Sequence, residues 1–339
     1  MATSGTSTFT LTRDQIITDA LTICGVIDPE GGSPNPNQLT ICASVLNQMV
    51  KAFMGHGLDL WTSTFAAVFL QPGQKTYQIG SGTTDHVAAV NTITGIGNTV
   101  TTAIATSAIV VLPLTYSSWY NNNVTTPVTV AVGNTIGIVL DTGNIFWTTV
   151  NLVVNTGTTF GVGLTTLLPS QASAGNAFYC YSGNGIDRPL RIVDGFVRRL
   201  NQNDVPIEII TRAQYIKFGL KYSPGTTNQM YYDPQLGNGS LYVYPTDLVA
   251  SDVIYIDCQR PIQDFNSGTD NADFPQEWLE AIVYGLAWRL CPRFNVPMGK
   301  VQEIKALYKD ALDLAMSFDQ EVGSIFIQPL NWQYQEFNN

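Results

Sequence analysis

The stretch VTVAVGNTIGIVLDTGNIFWTTVNLVVNTGTTF, residues 128–160, carries one formal charge, Asp141, and is written almost wholly in Thr, Val, Ile, Gly and Asn. β-Branched runs broken by GN and TG turns are the pattern of short strands in a small all-β sandwich or barrel. The same vocabulary extends in both directions. From Lys75 to Arg188 no other Lys or Arg occurs, and the acids are Asp85, Asp141 and Asp187. Threonine-rich faces can be solvated through hydroxyls without charge, and the composition is neither simple nor charged enough for disorder. Residues 73–185 therefore read as an inserted β domain.

The flanks read differently. Thr12 followed by Gln15 is a capping-box pattern, and Ile16, Ile17, Ala20, Leu21 and Cys24 share one helical face before Gly25. After the turn-rich DPEGGSPNPN, Asn35 caps a second helix with Pro36 at its first position. Leu39, Cys42, Ala43, Leu46, Met49, Val50 and Phe53 step by threes and fours along it. Beyond Arg188, PIEIIT and DVIYIDCQ read as strands, and QMYYD and SLYVYP as a hairpin. Thr211 with Gln214 opens a short helix. DFPQEWLEAIVYGLAWRL then forms a helix with Trp278, Leu279, Ile282, Val283, Leu286 and Leu290 inside. KVQEIKALYKDALDLAMSF places Val301, Ile304, Leu307, Tyr308, Ala311, Leu312, Ala315 and Phe318 on one face. With two helices at each chain end, the economical fold is α+β: an antiparallel helical bundle built from both ends, carrying the inserted sandwich or barrel-like domain. The expected division is 1–72 as the first half of the helical core, 73–185 as the β domain, 186–322 completing the core, and 323–339 as an extended arm.

That arm has an unusual composition. SIFIQPLNWQYQEFNN, residues 324–339, holds one charge, Glu336, beside Ile325, Phe326, Ile327, Leu330 and Trp332. No helical or strand periodicity lets it bury these side chains locally. An extended segment gains its hydrogen bonds and burial by lying on another chain.

Overall composition narrows the function classes. Of 339 residues 12% are charged, about half the usual share, and the net charge of −10 argues against a general nucleic-acid coat or an anionic membrane surface. The five cysteines are scattered without a CxxC pair and read as free buried thiols in a reducing compartment. MATSGTSTFT lacks the basic and apolar regions of a secretory signal, and no apolar run reaches the roughly eighteen residues of a membrane span.

Catalytic chemistry finds little support. His56 lies in a Gly-flanked helix exit and His86 directly follows Asp85, a poor spacing for a nucleophile–base arrangement. The loop DFNSGTDNAD at 264–273 places Asp264, Asn266 and Asp270 at calcium-loop positions. Thr269 stands where the turn Gly belongs and Pro275 where the bidentate Glu belongs, so Asx-turns are the better account. GIGNTV lacks the glycine and lysine of a phosphate loop. No catalytic, metal or cofactor residue is assigned. RPLRIVDGFVRR gathers Arg188, Arg191, Arg198 and Arg199. Interchain pairing with carboxylates, a solvated strand and turn, and phosphate contact are all open readings. On the first, they are subunit–subunit contacts and Arg198→Glu weakens self-assembly.

TRDQIITDALTICGVID, ASVLNQMVKAFMGHGLDLW, LYVYP, IDCQRPIQDF and DFPQEWLEAIVYGLAWRLCPRFNVP, in this order, resemble the head-to-tail adaptor proteins of short-tailed phages, also called tail accessory or packaged-DNA-stabilisation proteins. The resemblance covers residues 11–72 and 186–330. It implies a structural virion protein, assembled in the host cytoplasm, that forms a twelvefold ring at the head–tail junction. The ring sits between the portal protein and the tail nozzle protein, and packaged double-stranded DNA passes through its lumen. The arm, with Ile325, Phe326, Ile327, Leu330 and Trp332, would lie along the portal. An acidic lumen would repel phosphate. No cofactor and no membrane is implied. Two other classes are expected to differ in simple assays: a virion-associated cell-wall hydrolase, and a glycan-binding module in which Trp119, Tyr120, Phe146 and Trp147 stack on sugars.

Overall fold

The computed structural model describes residues 5–55, 60–82, 85–97, 109–113, 115–117, 125–127, 129–155, 159–199, 204–250 and 252–319. The fold is mixed α+β, with antiparallel sheets and a few helices. It divides into two compact units, Met1–Trp61 with Ile262–Asn339, and Thr62–Pro261.

In the first unit, helix α1 (Arg13–Cys24) starts where the sequence places it. The Thr12 hydroxyl accepts from the Gln15 amide, and the Gln15 side chain accepts from the Thr12 amide. Gly25, at φ +75°, takes the left-handed conformation that ends the helix. Asn35 and Gln38 cap α2 (Pro36–Phe53) in the same way. The α1 stripe is wholly buried, as are Cys42, Val45, Leu46, Met49, Val50 and Phe53 of α2. α4 (Leu279–Leu290) buries residues nearly all round, which makes it the central element of this unit. (The label α3 belongs to Arg212–Ile216 of the second unit.) One apolar core takes residues from both chain ends, Ile16 and Met49 alongside Ile282 and Leu286. Polar ties reinforce it: the Asn47 amide accepts from the Phe265 N–H and donates to its carbonyl, at 2.9 and 3.0 Å.

α5 (Met298–Phe318) departs from expectation. Ile304, Ala311 and Ala315 are buried and Val301, Tyr308 and Leu312 partly so, while Leu307, Leu314, Met316 and Phe318 are exposed. The eight-residue face predicted for this helix is wider than the surface that covers it. α4 meets one flank, where Gly285 lets the Tyr308 ring come within 2.8 Å of where a Cβ would stand. Leu307 and Phe318 fall on the other flank.

The second unit contains three main sheets. A five-stranded antiparallel sheet runs in the order Asp204–Pro206, Arg191–Arg198, Val253–Gln259, Ser63–Phe69, Val87–Ala89. A four-stranded sheet runs Glu208–Ile209, Gln229–Asp233, Gly239–Tyr244, Thr76–Ile79. A six-stranded sheet runs Ile93–Gly97, Phe178–Tyr181, Thr135–Val139, Ile145–Asn155, Thr159–Leu164, Ile109–Pro113.

The five-stranded sheet is buried on both faces, and strand periodicity shows how. Along Ser63–Phe69, Ala66 and Val68 enter a core shared with Tyr77, Ile79, Leu241 and Val243 of the four-stranded sheet. Ala67 and Phe69 point the other way, into a core with Ile145, Tyr179 and Tyr181 of the six-stranded sheet. Each fully buried Val, Leu, Ile or Phe side chain there contributes about 1.5–3 kcal/mol before ordering costs. The six-stranded sheet keeps a further core of its own, from Val110 and Leu112 to Phe178 and Cys180.

This division differs from the one read from composition. The strands after Arg188, expected to complete the helical core, lie inside the β unit, where Val253–Gln259 pairs with Ser63–Phe69 and Gly239–Tyr244 with Thr76–Ile79. The charge-poor segment sends Thr76–Ile79 and Val87–Ala89 into the same sheets. Loss of charge at Lys75 marks a change of surface chemistry, whereas the fold boundary lies at Thr62 and Pro261. Ser63 pairs with Gln259, so the two ends of the β unit are adjacent.

Candidate functional site

The arginine-rich strand Arg191–Arg198 lies between Asp204–Pro206 and Val253–Gln259, with an irregularity between Ile192 and Asp194 that re-aims its side chains. Arg191 Nε donates to Gln259 Oε1 at 2.9 Å. Arg198 faces Asp204 on the neighbouring strand and pairs with it bidentately, its guanidinium over the rings of Phe196 and Tyr255 at 5.3 and 5.2 Å. The hydrogen bonds that Arg198 donates to Asp204 hold it above the usual arginine range. Arg199 lies 3.2 Å from Asp252 and also donates to Thr226. Arg188 is half-buried beside Tyr232. Arg191, Arg198 and Arg199 thus have partners within their own chain. Arg198→Glu would set two carboxylates against each other across the Arg198–Asp204 pair. It is expected to lower the melting temperature of the β unit by a few degrees, and melting run beside sedimentation on the same sample separates that loss from a loss of assembly.

Behind Arg199 lies a carboxyl pair that the sequence reading did not find. Asp247 and Asp252 are 3% and 4% exposed. Asp247 Oδ1 accepts from the Val249 amide at 2.9 Å, while its Oδ2 has no donor. The Asp252 carboxyl is within hydrogen-bond reach of Asp247. Burial pushes Asp252 up to about 7, the Asp247 charge adds to this, and Arg199 opposes it. Enclosure beside a second carboxyl disfavours the charged form of Asp252.

Among the described residues of the β unit is a concavity of about 470 Å³, with Gln71, Gln74, Tyr77, Asp85, His86 and Trp147 on its walls. The amide of Gln71 is engaged by the backbone of Ile145, and that of Gln74 by Asp85. His86 Nδ1 lies 2.8 Å from the Tyr181 hydroxyl, and burial pushes the imidazole down to about 4. The neutral ring stacks on Trp147 at 3.8 Å between centroids. On the opposite strand Gly137 pairs with Trp147, and a Cβ there would stand 2.6 Å from the indole. Trp147 is therefore stacked on His86 and packed against Gly137, and its remaining surface borders the concavity. Phe146 packs against the core of the six-stranded sheet. Trp119 and Tyr120 lie outside the described residues, as does His56.

In the 264–273 loop, Asp270 Oδ2 accepts from the backbone N–H groups of Asn266 and Ser267, and Asp273 Oδ2 from that of Gln263. These bonds reach back along the chain, so they are not the expected Asx-turns, which run to the N–H two residues on. Asp264 pairs with Lys51 at 2.6 Å. Among the described residues, no group of three or more His, Cys, Asp or Glu side chains converges to hold a metal ion. All five cysteines are buried and free. Burial pushes Cys42 and Cys180 up to about 11, and Cys24 and Cys258 to about 12, which keeps them as thiols.

The SU10 adaptor protein family matches residues 147–328, more than half of the chain. The chain belongs to the SU10 adaptor protein family. It is accordingly a phage adaptor-type structural protein and a virion component that works through contacts with other virion proteins. The match takes in both Trp147 and the arginine-rich strand, and runs through α4 and α5 into the apolar tail. Comparison with curated proteins returned no match. Among the described residues no helix of this adaptor is long and apolar enough to cross a membrane. The arm from residue 323, with Ile325, Phe326, Ile327, Leu330 and Trp332, lies outside the described residues.

Sequence reasoning found the arginines and Trp147 but not their partners. Asp204, Asp252, Gly137 and His86 reach them across strand registers that composition does not encode. The one legible trace was the Asp204 carboxylate six residues after Arg198.

Proposed function

We propose that this adaptor forms a twelvefold ring at the head-to-tail junction of a short-tailed phage. The portal protein binds on one side, the tail nozzle protein on the other, and packaged double-stranded DNA is retained in the lumen. The helical unit, read as an antiparallel bundle, forms the ring body, and the arm from 323 lies on the portal. The observation that carries this reading is the family match ending at residue 328, inside the aliphatic arm that follows α5. A net charge of −10 suits a channel through which phosphate must slide without sticking. The role is structural and requires no catalysis. A zymogram of purified protein on host cell wall tests that, and a cleared zone overturns it.

A chain ending at Val322 is expected to keep its fold and to lose portal binding by at least about a hundredfold. That corresponds to two of the five buried arm side chains at about 1.5–3 kcal/mol each. Pull-down on isolated portal rings, with circular dichroism of both proteins, makes the comparison. Portal binding as strong as that of the full chain overturns the arm.

A further inference from the structure

The four-stranded sheet has an outer face that neither the arginines nor the arm explains. Met230, Leu241 and Val243 point into the core, so the alternate residues Tyr231, Tyr242 and Tyr244 point out. α3 and the segment after it are clamped over them. Tyr215 meets Tyr231 and Tyr242 at 6.0 and 5.1 Å, and Phe218 stacks on Tyr244 at 4.1 Å. Lys221 Nζ donates to the carbonyls of Ile216 and Phe218 at 3.1 and 3.0 Å, closing the end of α3. Lys75 sits 4.0 Å over the Tyr222 ring.

These anchors hold in place a lobe whose outer surface is costly in water. Ile216, Leu220 and Tyr222 are 61%, 64% and 61% exposed, beside the exposed cations Arg212 and Lys217. Residues 211–225 contain no carboxylate, in a chain of net charge −10. An apolar centre with an aromatic and a cationic rim is the anatomy of a protein interface. Duplex DNA would use the cations and leave the three apolar side chains in water.

We infer that this lobe docks on an acidic surface of a second copy of the chain, as the cationic half of a head-to-tail contact. The inference rests on the ring-forming reading above. The charge balance selects the occupant: every other copy presents an excess of carboxylates, and two of these lobes face to face would set cation against cation. The contact is therefore between unlike surfaces, the kind that closes rings rather than symmetric dimers.

Lys217→Glu and Leu220→Ser, both exposed and outside every described core, test it in the full chain. Sedimentation across a concentration series at low and high salt reads assembly, and circular dichroism confirms the fold. Each variant is expected to weaken self-association at least about tenfold, and raised salt to weaken the unmodified chain likewise. Rings formed equally well by variant and unmodified chains overturn the lobe and leave the ring reading standing. An unmodified chain that stays monomeric at every concentration overturns both. A variant that assembles normally but loses binding to a duplex DNA fragment gives the lobe to DNA and overturns the inference.

Discussion

Replacing Asp252 with Asn is expected to make the β unit gain stability, relative to the unmodified protein, as pH rises from 3.8 to about 7. The reason is the raised pKa of a nearly enclosed carboxyl. Over that window an unfolded chain ionises at this position while the folded one keeps its proton, so the folded state binds more protons and loses stability with rising pH. Below the window both forms are protonated and the group has no effect. Above it the loss is complete. At about 1.4 kcal/mol per pKa unit, the span from 3.8 to about 7 amounts to about 4 kcal/mol at most. Asn cannot ionise, and its amide offers Asp247 Oδ2 the donor it lacks.

His86 acts in the opposite direction within the same unit. Its imidazole is pushed from 6.5 to about 4 by burial, so the unfolded chain takes up a proton first as pH falls. Its contribution is fully present above 6.5 and is lost as pH falls toward 4, by about 3 kcal/mol at most. The two groups largely cancel in the intact protein, and each single substitution unmasks the other. Melting curves from pH 4 to 8 for the unmodified chain, Asp252→Asn and His86→Phe display this as difference profiles of opposite slope. A flat difference for Asp252→Asn shows that this carboxyl ionises in the folded protein as it does in the unfolded chain.

Neither group was legible in the sequence. Asp247 and Asp252 are two ordinary acids in TDLVASD, and only the fold encloses them beside Arg199. Helix ends were legible because their causes are local. Thr12 with Gln15, Asn35 with Gln38 and Thr211 with Gln214 each form their cap within three residues. The QMYYD and SLYVYP hairpin was equally plain, since its turn and alternation lie side by side. The extent of the β unit was not. Ser63 meets Asp257 across 194 residues of sequence, and no local pattern states that pairing. Composition stood in for it and located the charge-free surface instead of the boundary. The α5 face shows the complementary failure: periodicity gave the apolar positions correctly, but the width of the covering neighbour decides which of them are buried.

Gly137→Val is expected to destabilise the β unit by about 3 kcal/mol, the upper range for a side chain forced into a filled site. Valine is among the best strand formers, and Gly137 occupies the middle of the strand Thr135–Val139 without a left-handed backbone, so propensity alone predicts a gain. Packing decides the sign. A Cβ at this position stands 2.6 Å from Trp147 Cζ3 and 2.7 Å from Cε3 and Cη2. The indole cannot retreat, because His86 stacks on its far face and the rings of Phe69, Tyr179 and Tyr181 surround it. Urea unfolding of Gly137→Val, Trp147→Leu and the double variant resolves the contact. The smaller leucine leaves room for the valine, so the double variant should be more stable than the sum of the single losses by at least about 1 kcal/mol. Strict additivity would mean that the glycine does not serve the tryptophan.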